Sequence, residues 1–160
     1  MNWKEIIGSL NGYASCEITF IRDGIPFSIL VAEDDEEDRL LINEAFDKVG
    51  FETEVKKFTN GKMLLQYLEQ IDASLYPALI VLDNSLPGLD ATDMLHILKS
   101  TPAYSNIRVV VYSTLLTPVK KETLLAAGAC ACIEKGNTMQ ELVQTATELK
   151  RLAEQKVKEP

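Results

Sequence analysis

The sequence predicts one α/β domain, a three-layer sandwich in which a parallel sheet lies between two layers of helices. Two observations support this fold class. From Phe27 onward, five short apolar runs alternate with amphipathic stretches, which is the pattern of successive βαβ units. The chain has 160 residues, 46% of them hydrophobic and 25% charged, so it can bury one full core but has little room for a second.

The first predicted strand is FSILVAE, residues 27–33, a nearly continuous apolar run of the kind found in buried parallel strands. Six consecutive carboxylates, residues 33–38, end this strand and open the next helix. The last three of them lie in the first helical turn, where the helix dipole favours negative charge, and we interpret them as a solvated face. Apolar residues then recur at helical spacing up to Val49, and Gly50 stands where a helix C-cap would.

The later elements continue the same alternation. Strands are indicated by runs of β-branched and apolar residues, helices by apolar stripes, and loops by Pro and Gly. Thr117 and Pro118 match the N-cap and first residue of a helix that closes at Gly128. The predicted elements are a weaker, half-exposed strand at 51–58, a helix at 60–71, the clearest central strand at 78–83, a helix at 91–100, a strand at 107–113, the helix from Thr117, a short strand at 129–135 and a final helix from Thr138 to about Val157.

Residues 1–26 do not belong to this alternation. We therefore divide the chain into an N-terminal extension of unknown role, residues 1–26, and a domain with an extended C-terminal helix, residues 27–160. Within the extension, WKEIIGSL could form a short helix, and CEITFI could form a strand paired through the RDG turn to the first core strand. A flexible or partner-binding extension is an equal alternative.

Charge and composition exclude several classes of function. The net charge of −8 argues against direct binding to nucleic acid, whose phosphates require Lys and Arg. The three cysteines, Cys16, Cys130 and Cys132, have neither disulfide nor zinc spacing, so we expect reduced structural thiols. No apolar run reaches transmembrane length and no secretion leader is present, so we expect a cytoplasmic protein that does not bind membranes.

Polar residues stand at the ends of four predicted strands. The acidic run ends the first strand, Asp83 the third, Ser113 the fourth and Lys135 the fifth. If the five strands follow the flavodoxin-like order 2-1-3-4-5, these ends converge at the carboxyl edge of the sheet, where open parallel sheets bind ligands. Each residue has an ordinary structural explanation when taken alone: a turn aspartate, a strand-end serine or a surface lysine. Those explanations do not account for the occurrence of all of them at the ends of successive strands.

This ordered set resembles the receiver domain of bacterial two-component response regulators, the family that includes the chemotaxis response regulator. The resemblance covers about residues 27–149 and is carried by ILVAEDD, LIVLDNSLPGLDATDMLHILK, IRVVVYST and AAGACACIEK. It implies that Asp83 accepts a phosphoryl group from a sensor histidine kinase or phosphotransfer protein, with Mg²⁺ bound. It also implies that Lys135 pairs with the phosphoryl group and that Ser113 hydrogen-bonds to it.

The resemblance further implies a set of metal ligands. Aligning VAED with the acidic pair of the family makes Asp34 a direct ligand of Mg²⁺ and Glu33 a ligand through water, with Asp83 and the backbone carbonyl of Ser85 completing the site. A register shift by one residue would name Asp34 and Asp35 instead. Mg²⁺ prefers such hard oxygen ligands.

Two positions depart from the family pattern. Cys132 stands where the family usually has an aromatic switch residue, and Gly136 follows the lysine where the family usually has proline. A small thiol cannot move between buried and exposed positions as a ring does, so the output step is expected to differ while the phosphorylation chemistry is unaffected.

We therefore expect a stand-alone response regulator that is not an enzyme beyond self-catalysed phosphorylation and dephosphorylation. It would act on an unidentified downstream protein through the helix from Thr117, the fifth strand and the final helix, and it could form a homodimer. The alternative is a receiver-like scaffold that works without phosphorylation. A phosphatase of the haloacid dehalogenase type is disfavoured because Ser85 stands where its second aspartate would be, and a flavin binder because the loops lack a Ser/Thr/Gly-rich phosphate cradle.

Overall fold

A computed structural model of the chain describes residues 21–22, 25–26, 28–50 and 54–155. The described strands are β1 (Ile21–Arg22), β2 (Ile25–Pro26), β3 (Ser28–Ala32), β4 (Glu54–Phe58), β5 (Leu79–Asp83), β6 (Arg108–Ser113) and β7 (Ala131–Glu134). The described α-helices are α1 (Glu36–Lys48), α2 (Gly61–Gln70), α3 (Ala91–Ser100), α4 (Pro118–Ala126) and α5 (Met139–Glu154), and a 3-10 turn spans Ala73–Leu75.

The core is a parallel sheet of five strands in the order β4-β3-β5-β6-β7. Numbered from the first core strand, this is the predicted order 2-1-3-4-5, so the flavodoxin-like α/β sandwich is confirmed. The order reverses between β3 and β5, which places the switch point of the sheet at the carboxyl ends of these two strands.

Alternate residues of each central strand face opposite helix layers. On one side, α2, α3 and α4 pack on the sheet through residues such as Leu68, Leu95 and Leu124. On the other side, α1 and α5 pack through residues such as Phe46 and Leu149. β5 is buried along its whole length, which explains its nearly unbroken apolar sequence.

The local boundaries follow from capping. Thr117 is the N-cap of α4 and Pro118 its first residue, as predicted. Gly50 follows the C-cap residue of α1 with φ of +66°, a conformation that favours glycine. The final helix was predicted too long: it ends at Glu154, because Gln155 has extended backbone angles. The fifth core strand is also shorter than predicted and begins at Ala131.

Part of the N-terminal prediction lies outside the described residues, namely everything on residues 1–20. β1 pairs antiparallel with β2 in a two-stranded sheet separate from the five-stranded one. Most of the CEITFI segment and part of the RDG turn lie outside the described residues, so both alternatives for the extension stay predictions. Residues 51–53 of the second predicted strand and residues 156–160 also lie outside the described part. No helix in the described ranges is both long enough and apolar enough to cross a membrane.

Candidate functional site

The strand register brings the predicted polar residues to one edge of the sheet. Ala32 is paired with Leu82, so the next residues of these strands, Glu33 and Asp83, are neighbours. Asp83 is paired with Tyr112 of β6. Ser113 follows Tyr112, and its carbonyl accepts a hydrogen bond from the backbone N–H of Lys135 at 2.7 Å. These strand ends share the carboxyl edge of the sheet, with Glu33 and Asp83 at the switch point itself.

The turn between β3 and α1 fixes the acidic run. Asp35 is the N-cap of α1, and its Oδ1 accepts a hydrogen bond from the backbone N–H of Asp38 at 2.9 Å. The guanidinium of Arg39 donates to the carbonyl of Glu33 at 2.6 Å. The carboxylate of Asp35 is therefore used in capping the helix, whereas those of Glu33 and Asp34 remain on the strand side of the turn.

Three carboxylates form a cluster that could hold a cation. Glu33, Asp34 and Asp83 each offer one oxygen, and these oxygens lie within 4.8 Å of one another. Glu33 and Asp83 are buried, while Asp34 is exposed to solvent. Hard oxygen donors of this kind suit Mg²⁺ or Mn²⁺. Ser85, whose carbonyl was the fourth predicted ligand, is exposed in the loop that follows β5.

Lys135 joins this cluster from the end of β7. Its Nζ donates to Glu33 Oε2 at 2.6 Å and to Asp38 Oδ2 at 2.9 Å, and it lies 3.4 Å from Asp83 Oδ1. Burial of the ammonium acts to lower the pKa of Lys135, but the two hydrogen-bonded carboxylates outweigh it, so this pKa is raised. Lys135 is therefore a permanent cation, and one ammonium serves three carboxylates.

Glu33 is the most deeply buried carboxylate at this edge. Its Oε1 accepts a hydrogen bond from the backbone N–H of Asp35 at 3.1 Å, and its Oε2 accepts the one from Lys135. Burial raises the pKa of Glu33 to about 7 even though Lys135 favours the charged form. Near neutral pH, a proton and a metal cation would therefore compete for this carboxylate.

Two groups of β6 complete the surroundings. The Ser113 side chain is buried, and its hydroxyl donates to the carbonyl of Leu115 at 2.9 Å. The ring centroid of Tyr112 lies 5.1 Å from Lys135 Nζ, within the range of a cation–π contact. Burial raises the pKa of Tyr112 to about 12, so its hydroxyl stays neutral.

The two positions that depart from the family pattern have defined environments. Cys132 is half-buried on β7 and packs against the layer of α2, α3 and α4 as a free thiol. Gly136 lies so close to α5 that an added Cβ would overlap the Cβ of Glu141 and lie 3.2 Å from its backbone carbonyl carbon. The carboxylate of Glu141 accepts backbone hydrogen bonds from Asn137 and Thr138, so this side chain is held in place. Close packing of the loop on the helix start therefore requires glycine.

Asp38 is a site residue that the sequence analysis interpreted wrongly, because its carboxylate binds Lys135 and is not merely solvated. The helix N-cap could have identified it. Once Asp35 is placed at the N-cap, Asp38 falls at the third helical position, from which side chains reach back toward the helix start. Tyr112 was likewise not predicted as a site residue, because its contact with the ammonium of Lys135 depends on the folded arrangement of β6 and β7.

Comparison with known proteins connects this geometry to a family. The family profile described as "Response regulator receiver domain" matches residues 29–147. Among curated proteins, the chain is 33% identical over 91 residues to the probable methanogenesis regulatory protein FilR2 of Methanothrix harundinacea, a match that covers 56% of this chain and 59% of that protein. It is 35% identical over 83 residues to sporulation initiation phosphotransferase F of Bacillus subtilis, covering 52% of this chain and 60% of that one. The match thus spans less than two thirds of either relative.

Solved structures show the same fold. The phosphorylated cyanobacterial phytochrome response regulator RcpA is 28% identical, with a TM-score of 0.69 over 78% of this chain and 91% of that chain. The Mn²⁺-bound form of response regulator Rcp1 is 23% identical, with a TM-score of 0.71 over 84% of this chain and 99% of that chain. At that identity, the second likeness concerns the fold alone.

Proposed function

Because the chain belongs to the response regulator receiver domain family, we propose that it is a phosphoacceptor switch of a two-component phosphorelay. Asp83 takes a phosphoryl group from a histidine kinase or phosphotransfer protein in a Mg²⁺-dependent reaction. The observation that carries this proposal is the meeting of Glu33, Asp34, Asp83 and Lys135 at one sheet edge. The phosphorylated state of the similar regulator RcpA supports the reaction class.

Asp83 supplies the nucleophile. One of its carboxylate oxygens forms the new bond to phosphorus while the phosphorus–nitrogen bond of the donor histidine breaks, and the imidazole leaves. Such transfers depend mainly on positioning and charge stabilisation. Asp83 is buried at the end of a fully buried strand, which supports a fixed position for the attacking oxygen.

Glu33, Asp34, Asp83 and the carbonyl of Ser85 would hold the metal. A bound Mg²⁺ supplies positive charge between the carboxylates and the incoming phosphoryl group. Both oxygens of Glu33 already accept hydrogen bonds, which supports a role for Glu33 through water and for Asp34 as the direct ligand.

Lys135 and Ser113 would respond to the phosphoryl group. The ammonium of Lys135 lies 3.4 Å from Asp83 Oδ1, so it can pair with a phosphoryl oxygen in a charge-assisted contact. Ser113 would exchange the carbonyl of Leu115 for a phosphoryl oxygen and thereby move the loop before α4. Phosphorylation would in this way bias the position of an element remote from the reacting atoms.

The output surface would comprise α4, β7 and α5. Leu115, just before α4, and Val119 of α4 are 67% and 73% exposed, so both side chains are accessible to a downstream protein. We further propose that the protein is cytoplasmic, binds neither nucleic acid nor membranes, could form a homodimer, and has no enzymatic activity beyond its own phosphorylation and dephosphorylation.

The second candidate is a scaffold that works without phosphorylation. The half-buried thiol of Cys132 favours it, because this position lacks the ring that would report the phosphorylated state. The complete set of Asp83, Ser113 and Lys135 favours the switch.

The test is the intact mass of the protein after incubation with acetyl phosphate. Wild type should gain one phosphoryl group in the presence of Mg²⁺ and none in EDTA, and Asp83→Asn should gain none. Asp47→Asn, which changes an exposed aspartate of α1, should behave as wild type. If folded wild-type protein gains no phosphoryl group, the switch is refuted and the scaffold is favoured.

A further inference from the structure

Asp38 is joined to the candidate site through an ion pair with Lys135. Its Oδ2 accepts a hydrogen bond from Lys135 Nζ at 2.9 Å, while Glu33, Asp34 and Asp83 are the carboxylates that form the candidate cation site. The side chain of Asp38 is 37% exposed, whereas that of Lys135 is 10% exposed. Asp38 therefore gives Lys135 a partner outside the cation site.

The three carboxylates do not share the ammonium equally. Glu33 and Asp38 accept hydrogen bonds at 2.6 and 2.9 Å, and Asp83, the proposed phosphoacceptor, is the most distant at 3.4 Å. Glu33 lies in the turn between β3 and α1, and Asp38 lies in the first turn of α1. The ammonium is thus held toward the start of α1.

We propose that Asp38 is a positioning residue that holds the ammonium of Lys135 away from Asp83 and competes with the phosphoryl group for it. This inference rests on the proposed function. Because the charge of Glu33 would be shared with the bound cation, Asp38 is the carboxylate left to hold the lysine when the phosphoryl group arrives.

Asp38 cannot simply follow the lysine. Its backbone N–H is bound by the N-cap Asp35, and the neighbouring Arg39 is tied to the carbonyl of Glu33. With the backbone at the start of α1 fixed, movement of the Lys135 ammonium toward a phosphoryl oxygen beyond Asp83 lengthens and weakens its contact with Asp38. The contact between Lys135 and Asp38 therefore opposes the phosphorylated state.

Beryllofluoride, which mimics the phosphoryl group on an aspartate, tests this inference in full-length protein. Its affinity at saturating Mg²⁺ is measured by isothermal titration calorimetry for wild type, Asp38→Asn and Glu37→Gln. Glu37 is an exposed carboxylate in the same helical turn, so its variant loses the same charge without a contact to Lys135 being removed. Asp38→Asn removes a partly exposed carboxylate that competes for the ammonium of Lys135. This variant should therefore bind beryllofluoride about 5- to 20-fold more tightly than Glu37→Gln does.

A gain in affinity is diagnostic, because damage to the fold would weaken binding. Asp38→Glu, which keeps the charge, should restore an affinity near that of wild type, and it serves as the test if Asp38→Asn does not fold. Two results would overturn the proposed role of Asp38: beryllofluoride binding by Asp38→Asn that is equal to or weaker than binding by Glu37→Gln, or tighter binding by Asp38→Glu as well. Neither result would affect the proposal that Asp83 is the phosphoacceptor. Absence of binding by wild type would overturn both proposals.

Discussion

Replacement of Lys135 by methionine should destabilise the metal-free protein by about 3 kcal/mol. Removal of one partner from a buried ion pair costs about 3–5 kcal/mol, because the other charge stays buried without compensation. Here the side chains left behind, Glu33 and Asp83, are 2% and 7% exposed. The lower end of that range applies because Asp38 is partly solvated.

This prediction is measured by thermal unfolding followed by circular dichroism, in EDTA and at a pH well above 7. For a chain of this size, about 2–4 °C is lost per kcal/mol, so the Tm should fall by about 6–12 °C. Lys121→Met, which removes an exposed lysine of α4, serves as the control and should change the Tm little.

Millimolar Mg²⁺ should then rescue the Lys135→Met variant more than wild type. Without the lysine, the carboxylate cluster is more negative and binds the cation more tightly, and tighter binding gives a larger stabilisation of the folded state. Two results would refute this reasoning: a fall in Tm no larger than that of Lys121→Met, or a rescue by Mg²⁺ no larger than the one seen in wild type.

Three further predictions follow from single residues. Burial raises the folded-state pKa of Glu33 from 4.5 to about 7, so the stability of the metal-free protein should fall as the pH rises between these values. The gain in Tm from Mg²⁺ should grow over the same range, because fewer protons compete with the cation. Glu33→Gln should flatten both pH profiles. Gly136→Ala should lower the free energy of unfolding in urea by about 1–3 kcal/mol through overlap with Glu141, and an unchanged urea midpoint would contradict that contact. Leu95→Ala should cost about 2–5 kcal/mol in the same assay because its side chain is fully buried, yet the folded variant should still gain a phosphoryl group from acetyl phosphate.

The fold was predictable because its strongest sequence patterns coincide with its most buried elements. β5 is apolar throughout and lies at the centre of the sheet, and α4 begins at the N-cap and proline that the sequence indicates. The prediction was less accurate where local hydrogen bonds set the boundary. α5 ends where Gln155 leaves the helical conformation, although its backbone N–H still donates to the backbone carbonyl of Arg151. The spacing of apolar residues along the sequence does not indicate this end.

The candidate site was predictable as a set of strand ends but not as a set of contacts. Strand order and register place Glu33 beside Asp83, and a parallel sheet allows this to be anticipated. Which of the first-turn carboxylates meets Lys135 depends on the rotation of α1 about its axis. That rotation is fixed by the N-cap, so the role of Asp38 could be inferred only after Asp35 was placed there.

The charges at this edge also suggest an order of events on the proposed mechanism. Three carboxylates contact the ammonium of Lys135, and Asp34 adds a fourth negative charge at the candidate cation site, so the metal-free site holds more negative charge than Lys135 can neutralise. A cation bound among Glu33, Asp34 and Asp83 weakens the hold of Glu33 on Lys135 and leaves Asp38 as its nearest anchor. The phosphoryl group, carrying more negative charge than one carboxylate, then outcompetes Asp38. Metal binding therefore prepares the lysine for release, and the strength of the contact with Asp38 sets how readily phosphorylation completes the change.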